Sequence, residues 1–214
     1  MRDRRLKERA EAKRQTRQAL LEAGLEAIIE HGLDASLDAI CARAGYTRGA
    51  FYVHFKSREE LLVGLTEWVL GGMVDTMLGT QATPEGLTST IERFMRGLEA
   101  GTWPLVPHIR IAAIRLMDGI NRWPALRRSF DALITQAIER LTQLATEGQR
   151  QGLIRADLDP GRLGQLLTIF AMGTIMLHNV GAPIDFDPQR SVVLQMLVEP
   201  SRGTRGQPPR VASE

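Results

Sequence analysis

The sequence predicts an all-α protein, a compact three-helix unit at the N-terminus followed by a larger helical body. Three observations predict it. Apolar residues recur at helical spacing along nearly the whole chain, no stretch alternates like a half-buried strand, and several segments open and close with helix-capping chemistry. The 214 residues suffice for one large or two small domains, and a 43% hydrophobic, 24% charged composition is ordinary for a globular chain.

The first helix is expected over 14–31, where "RQTRQALLEAGLEAIIEHG" spaces Ala19, Leu20, Ala23, Ala27, Ile28 and His31 along one side and Gly32 stops the helix. Two short helices follow, over 37–44 and 48–54. Leu37, Ile40, Cys41 and Ala44 form the apolar side of the first, and Gly45 stands where the chain must turn left-handed. Thr47 caps the second, whose inward residues are Ala50, Phe51 and Phe55. Its outward residues are Arg48, Gly49, Tyr52, Val53 and Lys56, with His54 at the edge. A short helix, a tight turn and a second helix with one polar face are the requirements of a helix-turn-helix, whose second helix enters a major groove.

The body is expected to hold helices over 58–78, 84–100, 106–118, 124–150, 161–179 and 188–198. Ser57 with Glu60 reads as a capping box, and Thr83-Pro84, Asp159-Pro160 and Asp187-Pro188 each pair an N-cap acceptor with proline at the first helical position. Domain limits follow: a basic arm over 1–13, the helix-turn-helix unit over 14–60, the body over 61–198, and a Pro/Gly/Arg-rich tail over 199–214 expected to be disordered.

Charge points to the partner. Residues 1–17 hold eight Lys/Arg against three acidic residues, whereas residues 61–214 hold fifteen of each sign. A basic front on a neutral body suits a polyanion, either nucleic acid or an anionic membrane. The membrane is disfavoured, because residues 2–17 lack an amphipathic apolar face and the most apolar run, 166–177, is too short to span a bilayer. One cysteine, Cys41, and an N-terminus without an apolar signal segment lead to the expectation of a cytoplasmic, nucleoid-associated protein. An enzyme is the rival class. Four scattered histidines, with no HExxH, GxSxG, paired cysteines or phosphate-binding glycine loop, leave no catalytic residue, metal ligand or cofactor to assign.

The stretch "SLDAICARAGYTRGAFYVHFKSREEL", preceded by Ala35, resembles the DNA-binding domain of the TetR family of bacterial transcriptional regulators. The likeness runs from about Thr16 to Leu62, and "TRGA-YxHF" is most similar to regulators of multidrug efflux pumps. Ile28 stands where the family usually has phenylalanine, and Cys41 where it usually has alanine; both substitutions keep the packing apolar. Beyond about residue 65 the likeness is only architectural. The resemblance implies a homodimer on a near-palindromic double-stranded DNA operator, with a small, largely apolar effector binding in the body and releasing DNA. Repression is the expected outcome, with activation or co-repressor dependence as the alternative on the same fold. Among the site residues, the resemblance puts Thr47 and Arg48 near base edges, and Ser36, Tyr52, His54 and Lys56 beside phosphates, with Tyr46 and Gly49 in the same DNA-facing set. Hydrogen-bonding side chains of these types suit both tasks, since arginine can bridge guanine O6 and N7 while hydroxyl and N–H groups donate to phosphate. For the effector site, the candidates are Phe94, Trp103, His108, Arg110, Met117, Phe170 and His178, with Met77 and Met172 beside them. The helix over 161–179 is apolar nearly all round, so it is expected to bury one face in the body. Its other face, with Gly164, Ala171, Gly173 and Thr174, is expected to meet a second subunit together with "SVVLQML".

Overall fold

The computed structural model describes residues 2–78, 86–100, 109–183 and 185–198, which are helical with no strand among them. The N-terminal unit is α1 (Arg2–His31), α2 (Leu37–Ala44) and α3 (Arg48–His54). The body begins with α4 (Arg58–Thr66), which runs through a π-helical segment, Glu67–Gly71, into α5 (Gly72–Leu78). Then come α6 (Leu87–Glu99), α7 (Ile109–Gly119), α8 (Pro124–Arg150), α9 (Pro160–Asn179) and α10 (Phe186–Leu197).

Local chemistry sets most of these limits. Gly32 and Gly45 have φ of 81° and 74°, the left-handed conformation that a side chain disfavours and that ends α1 and α2. Ser36, Thr47, Ser57 and Asp159 cap the helices that follow them, each side-chain oxygen accepting from the backbone N–H three residues on. The capping box differs in one bond, since Glu60 reaches past Ser57 to accept from the backbone N–H of Lys56 at 2.6 Å.

Three expectations about helix starts are corrected. α1 begins at Arg2, so the basic segment 1–13 is, from Arg2 onward, continuous with the first helix. Arg4–Glu8 and Gln15–Glu11 pairs, both four residues apart, support that exposed extension. α10 begins at Phe186, so Pro188 stands at its third position and Asp187 is inside the helix. α6 begins at Leu87 with the extended Gly86 as its N-cap, not at the expected residue 84; Thr83, Pro84 and the tail over 199–214 lie outside the described residues.

One buried apolar cluster runs from the N-terminal unit into the body without a break. It joins Leu20, Ile28, Ile40, Cys41, Phe51 and Phe55 to Leu61, Leu65, Val69, Leu116 and Leu126. α4 crosses α1 closely, since a Cβ added at Gly24 would come within 3.2 Å of Leu61. His31, placed on the apolar side by spacing, is exposed. The run Arg58–Leu78 is long and apolar enough, by length and composition alone, to cross a bilayer. Here its Leu61, Leu62, Leu65 and Val69 are in the core. A second cluster, around Phe94, Met95, Leu98, Leu163, Leu167 and Leu197, holds α6, α8, α9 and α10 together.

α9 folds back along α8, and the faces of α9 differ from expectation. Gly164 packs against α8, where an added Cβ would overlap Thr142 and lie 2.9 Å from the carbonyl oxygen of Ile138. Thr174 is buried, and Ala171 lines an internal cavity. Only Gly173 of the four small residues is exposed, with open space around its added Cβ. At Gly164 it is α8 that takes the close approach a small residue permits.

Candidate nucleic-acid interface

α3 rests on the core through Phe51 and Phe55, both essentially buried, and this turns its opposite side outward. Arg48, Gly49, Tyr52, Val53 and Lys56 are exposed, as the helical spacing requires, and His54 is half-buried at the margin. Tyr52 is 51% exposed, yet its ring is braced edge-on against Phe51 with centroids 5.4 Å apart. Tyr46 is set back from this face; it is half-buried and packs against the core.

The hydroxyls of Ser36 and Thr47 already accept from Ala39 and Ala50 N–H, at 3.1 and 3.2 Å. Each keeps its own O–H proton to donate, so capping and phosphate contact are compatible uses of one side chain. At Gly49 an added Cβ would meet nothing nearer than the Thr47 hydroxyl at 3.6 Å. The protein itself does not require glycine there; a ligand backbone approaching that surface would. His54 has its pKa lowered, first by burial and then by the positive charges of Lys13 and Arg17, which favours the neutral imidazole. Arg17 also stacks over Phe55 at 5.2 Å, so the C-terminal part of the basic segment is anchored beside α3.

One partner was not visible in the sequence. Asp38, in the first turn of α2, lies 3.3 Å from Nε of Arg48. The two are ten residues apart across the turn, a separation that no helical period connects.

The body holds an apolar cavity of about 80 Å³, lined by Leu70, Met73, Met77, Met117, Phe130 and Met172 among others. Met117, Met77 and Met172 are therefore among the wall residues of this cavity. Phe94 and Phe170 line an adjoining apolar gap that shares Met77, Leu78, Leu141 and Ala171 with this cavity, Phe170 also lines the wider cleft between α9 and α10, and His178 lines neither the gap nor the cavity. Trp103 and His108 lie outside the described residues; Arg110 falls in the first turn of α7, with its side chain outside them. α8 supplies wall residues that the sequence reading missed, Phe130, Leu133, Ile134 and Ala137. Their spacing marks an inward helix face, but does not separate a cavity wall from a filled core.

α7 connects this cavity to the N-terminal unit. Ala113 and Met117 face the cavity, while Arg115 donates to the carbonyl oxygen of Ile28 near the end of α1. Just beyond α7, Arg122 binds Asp34 through two bonds of 2.9 Å and lies over the Trp123 ring at 4.4 Å. Glu59 completes the junction by accepting from the backbone N–H of Ala125 at 3.3 Å.

A short helix, a left-handed glycine turn and a second helix with a polar outer face make residues 37–54 a helix-turn-helix. The family model for bacterial regulatory proteins of the tetR family matches residues 20–65. The uncharacterized HTH-type transcriptional regulator TtgW of Pseudomonas putida is 50% identical over 54 residues, 25% of this chain and 40% of that protein. The HTH-type transcriptional regulator SrpR of Pseudomonas putida is 47% identical over 49 residues, 22% of this chain and 23% of its own. The chain therefore spans less than half the length of these curated relatives in the matched region. A solved complex of SmeT with triclosan shares the fold, with a TM-score of 0.70 at 22% identity, covering 93% of this chain and 99% of that one. Residues 20–65 therefore carry the DNA-binding domain of the tetR family of bacterial regulatory proteins.

Proposed function

We propose that the protein is a homodimeric repressor that binds a near-palindromic operator through α3 and releases it when a small apolar molecule enters the body. The observation that carries this reading is the outward face of α3. It combines one arginine for base edges, an exposed valine for a thymine methyl, a glycine that admits a close backbone, and Tyr52 and Lys56 for phosphates. Ser36 and His54 extend the phosphate contacts at either side.

A single α3 spans only a few base pairs, so selectivity calls for two copies. The surface that suits pairing is the outer side of α9 and α10. Leu166, Ile169, Met176 and Val180 recur there at helical spacing, and Val192 and Met196 add to them from α10, all at least half exposed. Apolar surface of that extent marks an interaction site.

The cavity suits an uncharged, lipophilic effector, since no charged side chain among the described residues lines it. At about 80 Å³ it is too small for a drug-sized molecule as it stands, so binding must move its walls. Methionines are flexible enough to yield, and a shift of α7 would pull on Arg115 and on the Arg122–Asp34 pair that grip the N-terminal unit. SmeT, a repressor of a Stenotrophomonas maltophilia multidrug efflux pump, has this fold, which supports repression and an efflux-related role. The reading places the protein in the cytoplasm, on the nucleoid, without enzymatic activity.

Arg48→Ala and Tyr52→Ala test the assignment by failing differently. Loss of a base contact costs about 1–3 kcal/mol and relaxes preference at one position of the site. Loss of a phosphate contact weakens all sequences alike and reduces the salt dependence. Binding titrations against the operator, its single-base variants and random duplex separate the two. Equal losses on every DNA for both variants would remove Arg48 from base reading.

A further inference from the structure

We propose that Asp38 is a specificity-determining residue that orients Arg48 for base reading; this role rests on the reading of α3 as the recognition helix. Asp38 Oδ1 lies 3.3 Å from Arg48 Nε. A carboxylate placed on Nε restrains the guanidinium from behind and leaves the two terminal nitrogens as the edge that can bridge guanine O6 and N7. Without it, an exposed arginine samples many rotamers and reaches a phosphate as readily as a base.

A carboxylate in the first turn of α2 also favours that helix, and the role proposed for Asp38 is additional to it. Ser36, not Asp38, supplies the acceptor that caps α2. α3 has no acidic residue in its first turn, and its exposed face is otherwise neutral or basic. A carboxylate beside that face repels every phosphate that approaches, so it weakens binding to all sequences. Its compensation is selectivity. A wrong base leaves the Arg48–Asp38 pair partly desolvated with nothing on its outer edge, whereas a guanine completes it.

Asp38→Ala, Asp38→Asn, Arg48→Ala and the Asp38→Ala/Arg48→Ala double variant test this, each measured on operator, on random duplex and on operators substituted at the position where Arg48→Ala loses preference. Asp38→Ala should bind random duplex roughly two- to fivefold more tightly and lose roughly two- to fivefold of the base preference at that one position, the range of an exposed ion pair. Asp38→Asn keeps an oxygen acceptor without the charge. It should gain the same random-duplex affinity but retain part of the base preference, which a role in helix stability alone would not produce. The double variant should show no less preference than Arg48→Ala alone, because the two residues act as one unit. Full base preference in Asp38→Ala, alongside its loss in Arg48→Ala, overturns the proposal and leaves α3 as the reading helix. Unchanged preference in Arg48→Ala overturns both.

Discussion

Ile169→Arg is expected to convert the protein to a monomer and to abolish operator binding while its helical circular dichroism persists. Ile169 is 69% exposed on the outer side of α9, so in a single subunit the arginine is solvated and costs little, within about 0.5 kcal/mol. In a dimer built on that side the same charge is buried without a partner, at a cost of several kcal/mol. Each subunit then holds a half-site alone, and the affinity gained from linking two half-sites disappears. Sedimentation velocity and binding titration read the two effects separately. A stable dimer of Ile169→Arg with full operator affinity would show that the subunits meet elsewhere. The position matters, because Ala171, only two residues away, points into the cavity; an arginine there would disturb the body's interior instead of the pairing surface.

Phe51→Ala is expected to destabilise the protein by about 3–5 kcal/mol, a large share of a typical total of about 5–15 kcal/mol. The Phe51 side chain is 0% exposed and contacts both neighbouring aromatic rings, with centroids 5.4 Å from Tyr52 and 5.5 Å from Phe55. Removing it empties the seat of α3 and frees the Tyr52 ring that it braces. Because the cluster around Phe51 continues into α4 and α7, thermal unfolding should shift as a whole, by about 10 °C. DNA affinity should fall well below the melting point, as α3 loses its fixed orientation. A melting temperature within about 2 °C of the parent, the scatter of a neutral substitution, would mean that α3 is not seated on Phe51.

The parts of this fold that were legible in the sequence are those governed by neighbours in the chain. Gly45, Thr47 and Ser57 set helix limits through bonds spanning three or four residues, and the inward and outward sides of α3 follow from its period alone. What escaped reading depends on distant elements. The four small residues of α9 look equivalent in sequence, yet Gly164 faces α8, Ala171 the cavity and Gly173 the solvent. The charged N-terminal segment resembles a flexible arm by composition, but its pairs four residues apart sustain a helix from Arg2. Nor could the cavity wall on α8 be told from ordinary core, since both ask only for apolar residues at helical spacing. The Asp38–Arg48 pair was hidden for another reason: a left-handed turn, not a period, brings the two together.

In the function proposed above, two copies of α3 read DNA together. This is tested most directly by selecting, from a pool of random duplexes, the sequences that the full chain retains at physiological salt. One site should be enriched, with two-fold related half-sites whose centres are about one helical turn, or a multiple of it, apart. Each half-site should hold a guanine whose preference disappears when the selection is repeated with Arg48→Ala. Retention of DNA without any enriched sequence, or an enriched site lacking two-fold symmetry and insensitive to Arg48, would contradict it.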